Sequence, residues 1–224
     1  MNTMFSFEVP YKHTEDFKHL QDYTFLLPSD PPSRPKPPVI LDNGFNEYGE
    51  PLSPEALAMK YLEPQAKVDF VIAPDHIDKN FEWHLTQAFE LLACGIPLHA
   101  IMMVAQNPDW IPRYLDLGFS AIAVPYRRRL SGYKKWVFGT AKPFHYHFLG
   151  LAHPAELLYC QPDTIDTSMP IKLAMQGISL REWLRKGCPH LHTIDMPEYF
   201  EAELTPEQVA LAEQNIKLLK RFVR

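Results

Sequence analysis

The sequence predicts an α/β fold, a compact or trimmed (β/α)8 TIM-like barrel formed by a single domain over residues 1–224. Three observations carry that prediction. Short, almost continuously apolar runs alternate with amphipathic segments, the pattern of parallel strands covered on both faces. Neither G-x-G-x-x-G nor G-x-x-x-x-G-K-[ST] follows any run, so no nucleotide fingerprint supports the competing doubly wound open sheet. The chain's 224 residues fall a little short of the ~250 usual for the barrel, hence a trimmed version.

Taken in order, "TFLL" (24–27) is the expected first strand, followed by "VILD" (39–42), "DFVIAPD" (69–75), "LHAIMMVAQ" (98–106), "SAIAVP" (120–125), "HFLGL" (147–151) and "TIDT" (164–167). Between the first two, residues 28–38 hold six prolines in eleven residues, which rules out helix or inner strand and predicts a stiff loop or lid. Helix signals fill the later gaps. Ser53 and Pro54 make an N-cap and a first-turn proline, and Phe81, Leu85, Ala88, Phe89 and Leu92 form one stripe closed by Gly95. Residues 109–117 run to Gly118, Ser179 and Glu182 form a capping box, and Thr205-Pro206 opens a last helix at about 205–222 with Val209, Ala212, Ile216 and Leu219 inward.

Composition narrows the function. The chain is 46% hydrophobic, enough for one sizeable core, and no run approaches the ~18 apolar residues of a membrane span. The N-terminus has no signal-peptide layout, so the expectation is a soluble cytoplasmic protein, in the host cytoplasm if phage-encoded, with no membrane partner. Cys94, Cys160 and Cys188 are odd in number and widely spaced, which argues against a disulfide framework. Cys188, His190 and His192 in "CPHLH" lack a nearby fourth ligand, so no metal and no cofactor are expected. The formal charge of −5 hides a basic cluster, "YRRRLSGYKKW", with Arg127, Arg128, Arg129, Lys134 and Lys135 interleaved with aromatics. Local patches, not totals, bind phosphates; the same cluster is also compatible with an ordinary solvated face.

Four runs end on residues able to move protons or read hydrogen bonds: Asp42, Asp75, Gln106 and Asp166. Active sites of parallel α/β folds lie at the carboxyl ends of the strands, so these side chains are expected to converge. Each alone has a structural explanation, since Asp42-Asn43-Gly44 is a turn signal, Asp75 can cap a helix and Gln106 precedes an Asn-Pro turn. Together, a carboxylate pair beside a polar recess suits substitution at a sugar anomeric carbon. One carboxylate attacks and holds the sugar as an ester, while another group protonates the leaving base and later deprotonates its replacement.

The ordered set "LDNGF", "APDHID", "IMMVAQ", "LGFSAIAVP", "HFLGLAHPAELL" and "TIDTSMP", covering roughly residues 39–170, resembles the landmark strands of tRNA-guanine transglycosylases. The closer resemblance is to the short phage and bacterial DNA-guanine transglycosylases. It implies a pentosyltransferase, a base-exchange enzyme on a TIM-like barrel that replaces guanine in nucleic acid by a 7-deazaguanine such as 7-cyano-7-deazaguanine, as in phage DNA modification that evades restriction. Carried across, Asp166 is the nucleophile and Asp42 the general acid/base. Asp75 reads the purine N1 and exocyclic amine, Gln106 holds the carbonyl edge, Asn43 turns the backbone away from the base, and Phe45 and Leu149 sandwich its faces. The implied partners are DNA and a free 7-deazaguanine base, with a homodimer or protein partner left open.

Two departures stand out. The family's glycine-rich turn after the fifth strand is replaced by "AVPYRR", and the C-x-C-x-x-C zinc segment of the tRNA enzymes is absent, which favours DNA over tRNA. The basic cluster then becomes the expected DNA-binding segment, with Tyr126, Tyr133 and Trp136 for unpaired bases. Three alternatives stay open: exchange on tRNA, a non-catalytic base-binding barrel, and a metal-dependent hydrolase using His145 and His147, which share one face of a strand.

Overall fold

A computed structural model describes residues 3–29, 36–64, 67–130, 132–138, 142–151, 153–189, 191–192 and 194–223. Eight parallel strands form one sheet: β1 (Met4–Ser6), β2 (Thr24–Leu26), β3 (Val39–Leu41), β4 (Phe70–Ile72), β5 (Ile101–Val104), β6 (Ala121–Pro125), β7 (His145–Leu149) and β8 (Thr164–Asp166). Their order, β1-β8-β7-β6-β5-β4-β3-β2, brings the last strand beside the first and rolls the sheet into a nearly closed (β/α)8 barrel.

The first strand is Met4–Ser6, not "TFLL", which is the second. Three residues are too few to show a period. The proline-rich loop therefore follows β2, and the basic segment follows the sixth strand rather than the fifth. Of the loop, residues 30–35 lie outside the described residues.

Side chains rather than a full strand ladder close the seam between β1 and β2. Phe5 N–H donates to Asp22 Oδ2 (3.1 Å) and Phe5 O accepts from Asp22 N–H (2.8 Å). Phe7 N–H donates to Gln21 Oε1 (2.6 Å), whose amide returns a bond to Phe7 O (2.9 Å). Lys220, from the last helix, anchors Asp22 Oδ1 at 2.6 Å. The exposed edge that a barrel must lose is thus satisfied.

Two layers of apolar residues follow from period-2 alternation. Tyr23, Ile40, Ile72, Met102, Val104, Ala121 and Ala123 fill the barrel interior, while Phe5, Leu41, Val71, Met103, Ile122, Phe148 and Ile165 face the surrounding helices. The helices include Pro54–Tyr61, Phe81–Ala93, Trp110–Asp116, Ala155–Cys160, Met169–Met175 and Leu180–Arg185, and Pro206–Lys220 closes the chain. Ser53 caps the first of these through Ala56 N–H, and Thr205 and Gln208 form a complete capping box on the last. At Ser179 only half of the expected box is present: its hydroxyl accepts from Glu182 N–H, while the Glu182 carboxylate pairs with Lys186 at 2.7 Å.

The stripe of Phe81–Ala93 is rotated from its expected position. Phe81, His84, Ala88 and Leu91 are buried, and Phe89 is 49% exposed. His84 goes inside because its Nε2 meets His76 O (3.1 Å) and its ring packs on Trp110. No helix among the described residues is long and apolar enough to cross a membrane.

Candidate active site

The alternation that fills the barrel also loads its carboxyl-end mouth. Two residues beyond inward Ile40 comes Asp42, two beyond Val104 comes Gln106, two beyond His147 comes Leu149, two beyond Thr164 comes Asp166, and two beyond Ser6 comes Glu8. All of them, with Asn43, Phe45, Asp75 and Tyr126, line one cavity of about 630 Å³. The strand ends therefore converge, and the space suits a nucleoside-sized guest.

Strand order fixes which groups oppose one another. β4 and β5, carrying Asp75 and Gln106, lie across the ring from β8 and β1, carrying Asp166 and Glu8. Phe45 follows β3 and Leu149 ends β7, two strands on opposite sides of the ring, and both line the cavity. Asp42 and Asp166 stand on well-separated arcs of the ring.

Asp42-Asn43-Gly44 is both a turn and part of the site. Gly44 has φ +82°, and a Cβ there would meet Tyr48 at 2.9 Å, so the turn requires glycine. Gly44 N–H donates to Asp42 Oδ2 (3.3 Å), and Phe45 N–H to Asn43 Oδ1 (3.0 Å). The amide of Asn43 is thereby aimed at Asp75, donating to Oδ1 at 2.6 Å and to Ala73 O at 3.2 Å. Gln106 Nε2 donates to Asp75 Oδ2 at 2.9 Å.

Arg128 completes this array. Its Nε donates to Gln106 Oε1 (2.8 Å) and its Nη2 to Ile77 O (2.7 Å), which fixes the Gln106 amide with nitrogen toward Asp75. Burial raises Asp75 to about 6, against the lowering effect of the Asn43 amide, His76 and the Gln106 amide.

The nucleophile candidate has different surroundings. Asp166 Oδ1 lies 3.0 Å from His147 Nε2, and the carboxyl also accepts from the backbone N–H of Gly150 and from its own. Burial raises its pKa; those donors and the charge of Arg129 oppose the rise. Asp42 is held well above the carboxylate range by burial, then by Asp166 and then by Glu8, with only the N–H groups of Gly44 and Asn43 in opposition. Asp42 is accordingly shifted toward its protonated form; Asp166 is raised to about 7, and of the two it alone has a charged guanidinium opposing the rise. Burial raises both carboxyls, but backbone donors and a guanidinium oppose the rise at Asp166, and such unequal surroundings suit a division into acid and nucleophile.

The basic segment divides in three. Arg127, Lys134 and Lys135 are exposed, and Arg127 lines the cavity mouth. Arg128 serves the Gln106 array. Arg129 is corrected: at 1% exposure it pairs with Glu156 (3.1 Å), bonds the carbonyls of Val124 and Gly150, and covers the Phe148 ring at 3.7 Å, so no phosphate reaches it. Trp136 likewise cannot stack on an unpaired base, being 2% exposed with its carbonyl bonded by the Tyr146 hydroxyl. Tyr126 remains 40% exposed at the mouth, and Tyr133 stacks on Tyr159.

Glu8, Tyr23 and Lys172 were not anticipated. Glu8 lies two residues past the three-residue β1, in "FSFEVP", a polar residue beyond a strand end as Asp42 is, in a run too short to register. Its Oε1 is sealed from solvent without a hydrogen-bond partner among the described residues, and so is the Tyr23 hydroxyl. Burial and the neighbouring Asp166 raise Glu8, opposed by Lys172, Ser168 and Asn46.

His145 and His147 do share one strand face, but both turn a ring nitrogen to Thr164 Oγ1, at 2.7 and 2.9 Å. Among the described residues no group of three His, Cys, Asp or Glu side chains is arranged to hold a metal ion. Cys188 and His192 line the cavity; His190 lies outside the described residues. No protein-family model matches the chain, and no curated protein matches it.

Proposed function

We propose that the protein is a base-exchange transglycosylase that replaces guanine in DNA by a 7-deazaguanine, such as 7-cyano-7-deazaguanine, through an aspartyl-sugar ester. The observation that supports this most is the division of one cavity. Asp42 and Asp166 stand on separate arcs of its wall, and across from Asp166 an Asp75, Asn43, Gln106 and Arg128 array offers hydrogen bonds to one edge of a flat heterocycle.

With the purine edge at Asp75 and Gln106 and its faces between Phe45 and Leu149, the anomeric carbon points toward Asp166. A carboxylate lone pair of Asp166 forms the C1′–O bond as C1′–N9 breaks, and N9 takes the proton that Asp42 carries. After guanine leaves, the ionised Asp42 removes the N9 proton of the incoming base, which attacks C1′ and releases Asp166. A guanine must leave its duplex stack to enter, and Arg127, Lys134, Lys135 and Tyr126 supply cations and a ring for the opened strand.

One observation favours a second polymer. Glu8 sits on the sugar side with a buried oxygen that has no partner among the described residues, and an internal deoxyribose has no hydroxyl to meet it, whereas a ribose has its 2′-OH. The second reading is therefore exchange on tRNA. Incorporation of labelled guanine into duplex DNA and into tRNA, run side by side, separates the two. A protein–nucleic acid ester on a denaturing gel, formed by the natural chain and lost in Asp166→Ala, is the expected signature. Binding without ester or exchange on both polymers would instead make this a non-catalytic base-binding barrel.

A further inference from the structure

Four side chains from two neighbouring strands stand in a column inside the barrel beneath the cavity. His145 Nε2 lies 2.7 Å from Thr164 Oγ1, Thr164 Oγ1 lies 2.9 Å from His147 Nδ1, and His147 Nε2 lies 3.0 Å from Asp166 Oδ1. Phe70 stacks on His145 at 4.8 Å and Phe25 on His147 at 5.8 Å, so both rings are held in plane. The pairing of β7 with β8, His147 opposite Thr164 and Leu149 opposite Asp166, sets the spacing.

Donor and acceptor rules give the column a direction. In its ionised form Asp166 only accepts, so His147 Nε2 then carries a hydrogen toward it. Burial and then Arg129 lower His147 to about 3, so the ring is neutral and Nδ1 is a bare acceptor. Nδ1 takes the hydroxyl hydrogen of Thr164, whose oxygen in turn takes the Nε2 hydrogen of His145. Every hydrogen points up the column to Asp166.

We propose that His147 is the positioning residue that holds Asp166 as an oriented carboxylate, with Thr164 and His145 setting the tautomer that lets it donate. This rests on Asp166 being the nucleophile. The column gives and takes no proton in the displacement: Oδ1 stays bound to His147 while the Oδ2 lone pair attacks. Other groups facing Asp166 are Glu8 from beyond β1, Tyr23 ahead of β2, Asp42 after β3, Arg129 after β6, and the Gly150 N–H. Those facing His147 are Arg129, His145 and Phe25. Glu8 and Asp42 oppose ionisation of Asp166, and a neutral donor is the partner that favours it without adding a buried charge.

The test is a carbon-13 titration of the Asp166 carboxyl in ligand-free protein, which needs no activity. His147→Phe keeps a stacked ring and removes the donor, so the titration midpoint rises by about one unit. His147→Gln places an amide N–H near the lost Nε2 and restores the natural midpoint. Thr164→Val releases the tautomer and gives an intermediate rise, and it serves together with the Gln variant if the Phe variant does not fold. Ester formation followed against pH shows its acid limb displaced in the same order. An unchanged Asp166 midpoint in His147→Phe, or in Thr164→Val should the first not fold, overturns the proposal. A shifted midpoint with no ester on either polymer leaves the column standing and removes the transglycosylase reading.

Discussion

At the scale of single residues, the site is a set of carboxyls whose neighbours differ. Asp42 has burial and like charge against it, so Asp42→Asn removes a proton donor at little cost to the fold. Base release is expected to slow by roughly 10²–10⁴-fold, measured by rapid-quench release of labelled guanine, with the melting temperature held or raised. Arg128 meets the array through Gln106 Oε1 and also bonds Ile77 O. Arg128→Ala frees the Gln106 amide to flip and should raise KM for the free base by about tenfold or more, the worth of one hydrogen bond to a charged group, with kcat nearly unchanged. A matched fall in kcat would show that Arg128 acts on the chemical step instead. Neither arginine role was legible in "YRRR", because three adjacent identical residues on one helical turn point in three directions, and only the packed neighbours decide which one meets Glu156, which meets Gln106 and which meets solvent.

At the scale of elements, the Tyr126–Arg129 turn joins the cavity to the core. The Arg129 and Glu156 side chains are fully buried, and breaking such a pair leaves an uncompensated charge. Arg129→Met should cost about 3–5 kcal/mol in chemical denaturation, while Arg129→Met with Glu156→Leu recovers most of it. Arg127, Lys134 and Lys135 behave oppositely: their joint replacement by Ala leaves stability alone and lowers the salt slope of duplex binding by about 2–3, from ~0.9 per phosphate contact. Element positions were readable where apolar runs were uninterrupted, as in β4, β5 and β6. They were misplaced where polar residues face inward. The apolar run "HFLGL" starts at His147, two residues into β7, because His145 does not look like an interior residue until Thr164 is seen within reach of its ring. Phe89 lies outside and His84 inside for the same reason in reverse: residue type alone suggests the opposite placement.

At the scale of the whole molecule, the buried acids make the fold pH-dependent. Asp42, Asp75, Asp166 and Glu8 all have folded pKa values above their unfolded ones, so the stability from their protonated forms is complete near pH 4 and is lost as pH rises through about 6 for Asp75 and higher for the others. His84, His145 and His147 are depressed by burial, so their contribution is present above about 6.5 and is lost as pH falls toward 4. The two groups offset each other in acid, and of the two only the acids act above neutrality. The melting temperature should therefore fall between pH 6.5 and 8, and a Glu8→Gln, Asp42→Asn double variant should flatten that fall. A flat natural profile over the same range would mean the cluster is hydrated and less perturbed than its burial implies.

The amino-acid order by itself determined the parallel α/β barrel and the polar strand ends, because alternation and strand-end position are local properties that survive without knowledge of neighbours. Asp42, Asp75, Gln106 and Asp166 were nameable on that ground. Only the tertiary structure decided that Glu8 joins them, that Arg129 leaves the surface, and that His147 reaches Asp166. Each of these depends on which strands become neighbours once the sheet closes, and closure is set by side chains of Gln21 and Asp22 meeting β1, a contact that no periodicity encodes.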